Sequence, residues 1–277
     1  MTAFGVQGSS PLLAGAPAPT QYKLIAESAE AAGFESLWAS DHIAFHHPLL
    51  DVTVALATFA SATERIRVGA GVLLLPLRAP ALVAREFASL DYLSGGRVIV
   101  GIGVGGEVAK DFEAVSVPVR ERGARTNEAM RALRELFSGR PASFSGRFFA
   151  FEEISIQPAA AQPGGPPLWV SPERYAEGLA RVREHGREVT AAVVLPALVG
   201  GTAEQARRHL SERYATEFST HAIERYCAVG SQAQCAERVA EYVEAGAEHI
   251  VFHPAVDTAA LQEQIELLAE VAYAAAS

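Results

Sequence analysis

The sequence predicts an α/β fold: a TIM-type (β/α) barrel with about seven core strands, where the full form has eight. Strand and helix patterns alternate almost from end to end. Several strand-like runs are continuously apolar, as in strands buried on both faces. Repeated βα units imply a parallel sheet, open or closed, and their number favours closure. No charge-block linker or short-period repeat interrupts residues 1–277, so they read as a single domain.

Residues 4–7 read as the first strand and 11–19 as a proline- and alanine-rich loop. A helix over 20–32 gathers Leu24, Ile25, Ala29 and Ala32 on one face and closes on Gly33. Residues 36–40 form the second strand, 52–61 an alanine-rich helix and 66–75 a long buried strand. The helix over 80–92 carries proline at its first position, where no N–H is needed. Residues 98–103 form the fourth strand and 122–137 the next helix. A small β-excursion follows over about 143–158, with strands read at 144–151 and 154–157, closed by a loop over 158–167. Strands at 168–170, 189–195 and 249–253, and helices at 172–185, 202–214, 232–245 and 258–275, complete the chain.

Composition narrows the function. The chain is 49% hydrophobic and 20% charged, enough for a substantial core. A net charge of −9, with no dense basic run, argues against nucleic acid as a partner. Cys227 and Cys235 read as two free thiols in a reducing compartment. No apolar run reaches the roughly 18–20 residues that a membrane helix needs. Residues 1–4 carry no basic stretch, so no secretory leader is expected and the expected location is cytoplasmic.

Parallel α/β proteins bind ligands at the C-terminal ends of their strands. Those ends are Gln7, Ser40-Asp41-His42, Gly71, Gly103 to Gly106, Ser171, Pro196 and His253. The glycine run is the most informative of them. Glycines let a backbone approach a phosphate or a flat ring closely. Gly101-Ile-Gly103-Val-Gly-Gly106 also matches the G-x-G-x-x-G dinucleotide fingerprint. That fingerprint needs a following helix, a second strand and an acidic residue about 20 positions on, and the second strand is missing. His42, His46 and His47 fit no standard metal spacing. No lysine stands at a predicted strand end, which weakens a Schiff-base lyase or aldolase reading.

Several motifs, in order, resemble the bacterial luciferase-like oxidoreductases. They are Gly33-Phe-Glu-Ser-Leu-Trp-Ala-Ser-Asp-His42, Arg65 to Pro76, Pro80 to Arg85, Leu93-Ser-Gly-Gly-Arg-Val-Ile-Val-Gly-Ile-Gly103, Glu121 to Arg125, Pro167 to Val170 and Glu244 to Ala247. The resemblance implies a barrel with coenzyme F420 (a deazaflavin) or FMN at its mouth. It implies hydride transfer with a small organic substrate, or monooxygenation. The other reading it leaves is a flavin-binding protein without efficient turnover. His42 is the expected acid–base group, since imidazoles titrate near neutrality, and Glu107 the expected acid. Asp41, Gly71, Val72, Gly103, Gly105, Gly106, Ser171 and His253 are the expected cofactor contacts. In deazaflavin-using members a non-proline cis peptide forms a bulge at the place of Gly71-Val72. That feature and Ser40-Asp41-His42 favour the deazaflavin over FMN. The helices over 52–61 and 80–92 resemble a homodimer contact. One departure stands out: Val170 runs straight into Ser171-Pro172, so one βα unit is absent. Seven strands are then expected to close up, with 168–170 beside 189–195.

Overall fold

The computed structural model describes residues 2–9, 19–170 and 191–276. Ser171 and the expected helix over 172–185 lie outside the described residues, as does most of the loop over 11–19. The chain runs β1 (Ala3–Ser9), α1 (Pro19–Ala31), β2 (Ser36–Ala39), α2 (Val52–Ala62), β3 (Arg67–Leu74), α3 (Pro80–Ser94), β4 (Val98–Gly103), α4 (Ala109–Ala114) and α5 (Arg122–Leu136). It continues β5 (Ala142–Ser145), β6 (Ala150–Ile154), β7 (Leu168–Val170), β8 (Ala192–Val199), α6 (Ala203–Tyr214), α7 (Thr220–Tyr226), β9 (Ala228–Gly230), α8 (Gln232–Glu244), β10 (His249–Pro254) and α9 (Thr258–Ala276). Two compact units result: Met1–Trp38 with Pro172–Ser277, and Ala39–Ser171.

In the first unit the strand order is β2-β1-β10-β8-β9, and β1, β10, β8 and β9 pair in parallel. Phe252 on β10 is fully buried, stacked on Phe4 and met edge-on by Phe34. Two helices start on reciprocal caps, Thr202 with Gln205 on α6 and Ser231 with Gln234 on α8. Each cap satisfies two N–H groups that the first turn leaves without partners. The expected seven-strand count is corrected here. Ala228–Gly230 is a further strand, paired with β8. The free edge of β8 that was expected to close beside 168–170 is thus taken by β9. Pro196 lies inside β8, opposite His253, and not at a strand end.

In the second unit the order is β7-β4-β3, again parallel. β4 is buried from Val98 to Ile102, as its uniform apolar pattern requires. The Leu-Asp-Tyr-Leu-Ser-Gly-Gly-Arg segment ahead of it is a structural knot. Asp91, fully buried, accepts from Val98 N, Gln162 N and Gln162 Nε2. Gln162 thereby ties the 158–167 loop to the start of β4. The Arg97 guanidinium donates to the carbonyls of Ala60, Thr63, Ile66 and Ser94 and to Thr63 Oγ1. It collects carbonyls at the C-terminal ends of α2 and α3, where a cation also suits the helix dipoles.

The excursion differs from its expected form. Residues 144–151 are not one strand. They hold the end of β5, a turn and the start of β6, and the two strands pair antiparallel. Glu128 on α5 fixes the turn by accepting from the N–H groups of Arg147, Phe148 and Phe149 at 2.7–3.0 Å. Burial works to raise the Glu128 pKa, but these donors outweigh it and hold the carboxyl below its usual range.

Candidate active site

The site develops where β2, β3 and β4 end. β2 delivers Asp41 and His42 as neighbours, and the two have separate tasks. Asp41 is 3% exposed and engaged within the protein. It accepts from Leu74 N at 3.0 Å, and Arg78 reaches it through Nη2 at 2.7 Å and Nε at 3.3 Å. Arg78 also reaches Asp51, which caps α2. Asp41 was expected to contact the cofactor. Instead both its oxygens hold the end of β3 and the start of the following loop.

His42 is only partly covered, at 17% side-chain exposure. Its Nδ1 lies 2.7 Å from Asp111 Oδ2. Asp111 Oδ1 accepts from Ile43 N at 2.8 Å and Ala44 N at 2.7 Å. Asp111 is 1% exposed. Three donors converge on Asp111, so its carboxylate is placed to accept a hydrogen from His42 Nδ1, and in the neutral ring of that tautomer Nε2 is the acceptor. Phe45 packs on the imidazole at a 32° tilt, with ring centroids 4.4 Å apart, and His46 packs on Phe45 at a 33° tilt and 4.2 Å. The ring is thus held at Nδ1 and across one face.

Glu107, the expected acid, is exposed, and the carboxylate that meets His42 is Asp111, four residues further on. Sequence reasoning missed Asp111. Its only signal is an acidic residue in the first turn of a short helix that directly follows a strand-end glycine loop.

The expected bulge is present. The β3–β4 register shifts between Ala70 and Leu73, and the Gly71-Val72 peptide is cis. From Val68 to Leu74 every residue is buried except Gly71 and Val72. Val72 lies against the glycine loop: a Cβ on Gly103 would sit 2.3 Å from Val72 Cγ2. Gly105, at φ +60°, rests on Leu74 and Phe112. Gly106, at φ +125°, has a backbone that side chains rarely adopt. Residues 71, 72 and 103–106 are all half-exposed amid buried strand ends. Phe112, 1% exposed beneath Gly105, is the neighbour of Asp111, so α4 joins this ledge to His42.

His253, expected near a phosphate, belongs to the other unit and is engaged. It is 5% exposed, with Nε2 at 2.8 Å from Arg213 Nη1 and 2.9 Å from the Tyr214 hydroxyl. Its Nε2 is thus taken up by protein partners.

Sequence comparison decides the family. The model of the luciferase-like monooxygenases matches residues 2–186. The chain belongs to that family. Among curated relatives of this luciferase-like chain, the F420-dependent glucose-6-phosphate dehydrogenase of Kineococcus radiotolerans is 32% identical over 199 residues, 66% of this chain and 58% of the relative. The F420-dependent hydroxymycolic acid dehydrogenase of Mycobacterium tuberculosis is 33% identical over 194 residues, 64% of this chain and 52% of the relative. The chain thus spans little more than half the length of the curated relatives it matches. Among solved structures, the monooxygenase RslO1 of Streptomyces bottropensis superposes with a TM-score of 0.83 at 19% identity, covering 100% of both chains. An F420-dependent secondary alcohol dehydrogenase superposes equally well, with a TM-score of 0.83 at 19% identity and 99% coverage of both chains. These likenesses show the luciferase-like α/β barrel class of fold.

Proposed function

We propose that this luciferase-like protein is an oxidoreductase that moves a hydride between F420 or FMN and a small organic substrate. One observation carries the reading: the His42–Asp111 pair leaves an imidazole nitrogen available and is tied through α4 to the half-exposed ledge of Gly71-Val72 and Gly103 to Gly106. The ledge is backbone-rich and backed by apolar Val72, Leu74 and Phe112, which suits the face of a flat heteroaromatic ring. The named activities of the curated relatives favour F420.

When bound, such a cofactor supplies or accepts the hydride. Gly71, Val72 and Gly103 would hold its ring, with Gly105 and Gly106 as further cofactor contacts beside it. His42 Nε2 holds or takes the proton of a substrate hydroxyl. Asp111 keeps the tautomer that leaves this nitrogen as the acceptor. Phe45 covers one face of the imidazole and limits its contact with water. Glu107 stays a proposed acid and Ser171 a proposed cofactor contact.

Titration of the purified protein with F420 and with FMN, followed by fluorescence, tests this. Saturable binding of one of them, with its reduction by a secondary alcohol or sugar-phosphate donor, is expected. Binding of neither would overturn the reading, and tight binding without reduction by any donor would leave a carrier instead of an enzyme.

We also infer a homodimer formed through α2 and α3. Val54 is 55% exposed, Leu82 61% and Leu93 80%, an apolar set on two helices that pack together in one unit. Light scattering at micromolar concentration is expected to give twice the chain mass, and Leu82→Glu the single mass. A monomer in the parent protein refutes it.

A further inference from the structure

Arg122 is the first residue of α5 and lies over the glycine loop. A Cβ at Gly106 would stand 3.1 Å from Arg122 Nε and 3.3 Å from its Cδ, so the missing side chain is what seats this arginine. Arg122 is half-buried, yet among the described residues its guanidinium makes one hydrogen bond, from Nη1 to Val119 O at a long 3.3 Å. No carboxylate pairs with it among the described residues. The adjacent Glu121 is engaged by Arg125 instead, at 3.1 Å. Two other covered arginines in this unit are satisfied. Arg78 holds two carboxylates, and Arg97 donates all round. Arg120 beside it is exposed.

A second observation points the same way. The N–H groups of Gly105 and Gly106 donate to no protein acceptor among the described residues. Backbone N–H groups left open at a positive-φ turn form a concave set of donors suited to anions. A guanidinium adds a planar fork that matches a carboxylate or phosphate. The fork, carried by α5, lies against the loop that holds these N–H groups, at the C-terminal end of β4.

We propose that Arg122, with the Gly105 and Gly106 amides, forms a subsite for an oxyanion, a carboxylate or phosphate. It deepens the oxidoreductase reading by naming the chemistry the site selects, and it rests on that reading only for the identity of the molecule carrying the anion. Two sources share this chemistry: the cofactor's own phosphate and an anionic group on the substrate.

The test separates them. Inorganic phosphate is titrated into the parent protein, R122Q, R122K and R120Q at constant ionic strength, without cofactor, with melting temperature and calorimetry as readouts. The parent and R120Q are expected to bind phosphate alike. R122Q is expected to bind it about tenfold to a hundredfold more weakly, and R122K in between. Equal phosphate binding by the parent and R122Q overturns the subsite. This arm contains no cofactor, so it succeeds or fails independently of the proposed redox activity. A second arm titrates FMN and riboflavin, which differ by the phosphate. Selective loss of FMN affinity in R122Q assigns the subsite to the cofactor. Unchanged FMN and F420 affinity, with phosphate binding lost, assigns it to an anionic substrate.

Discussion

His42→Ala is expected to lower turnover by about 10²–10⁴-fold, the usual contribution of a positioned acid–base group, while cofactor affinity stays within about threefold. The more discriminating variant is Asp111→Asn. Its remaining carbonyl oxygen can still accept from Ile43 N and Ala44 N, so the loop keeps its two anchors. Its amide, however, presents N–H to His42 Nδ1, where a carboxylate accepted before. The imidazole must then turn acceptor at Nδ1 and carry its hydrogen on Nε2, and the proton acceptor facing the substrate is gone. Turnover on the order of 10²-fold below the parent is expected, with KM little changed. Because the two residues act as one device, the double variant is expected to be no slower than His42→Ala alone. Additive losses would place Asp111 outside the proton path, and an Asp111→Asn enzyme of parental rate would remove the dyad from the mechanism.

The second large effect is on stability. Arg213 is 2% exposed and donates to His253, His209 and the carbonyls of Pro254 and Val256, tying α6 to the end of β10. Burial, then the charge of Arg213, pushes His209 down to about 3 and His253 well below its ordinary value. Both rings are neutral when folded, whereas an unfolded histidine takes a proton below about pH 6.5. The folded state therefore binds fewer protons, and its stability, complete above pH 6.5, falls as the pH drops toward the folded values. Each ring that stays neutral costs about 1.4 kcal/mol per pH unit in that window. His209 contributes less than this, since its ring is partly solvated. Urea midpoints at pH 7, 6 and 5 are expected to fall steadily. Arg213→Met removes the repelling cation and is expected to flatten the slope. A midpoint that does not move between pH 7 and 5 would show that the rings take up protons in place.

The order of strands and helices was legible because burial imposes periodicity, and β4 reads correctly to the residue. What failed has physical causes. β9 has three residues, too few to display a period, and its pairing with β8 depends on an edge some thirty positions away. The turn at 146–149 hid between aromatic residues that read as a continuous strand, because the acid that fixes it, Glu128, is remote in sequence. At the site, His42 was legible from its motif and its strand end. Which carboxylate served it was not. Asp41 is adjacent in the chain, yet it is drawn to Arg78 and Leu74 N. Asp111 lies 69 residues away and meets the imidazole only through folding. Glu107 is nearer to the glycines but faces solvent. His253 sits at a strand end as expected, but a strand end says nothing of which side chains will enclose it.

The grip of Glu128 on the β5–β6 hairpin has a dynamic consequence. A surface hairpin of two short strands ordinarily frays on its own, as a local opening of low free energy. Here opening the turn strips a buried carboxylate of its three backbone donors, each a charged hydrogen bond worth about 1.5–3 kcal/mol. The hairpin therefore has no cheap private route to the open state. It belongs to the same cooperative folding unit as α5, and it opens only when that helix gives way.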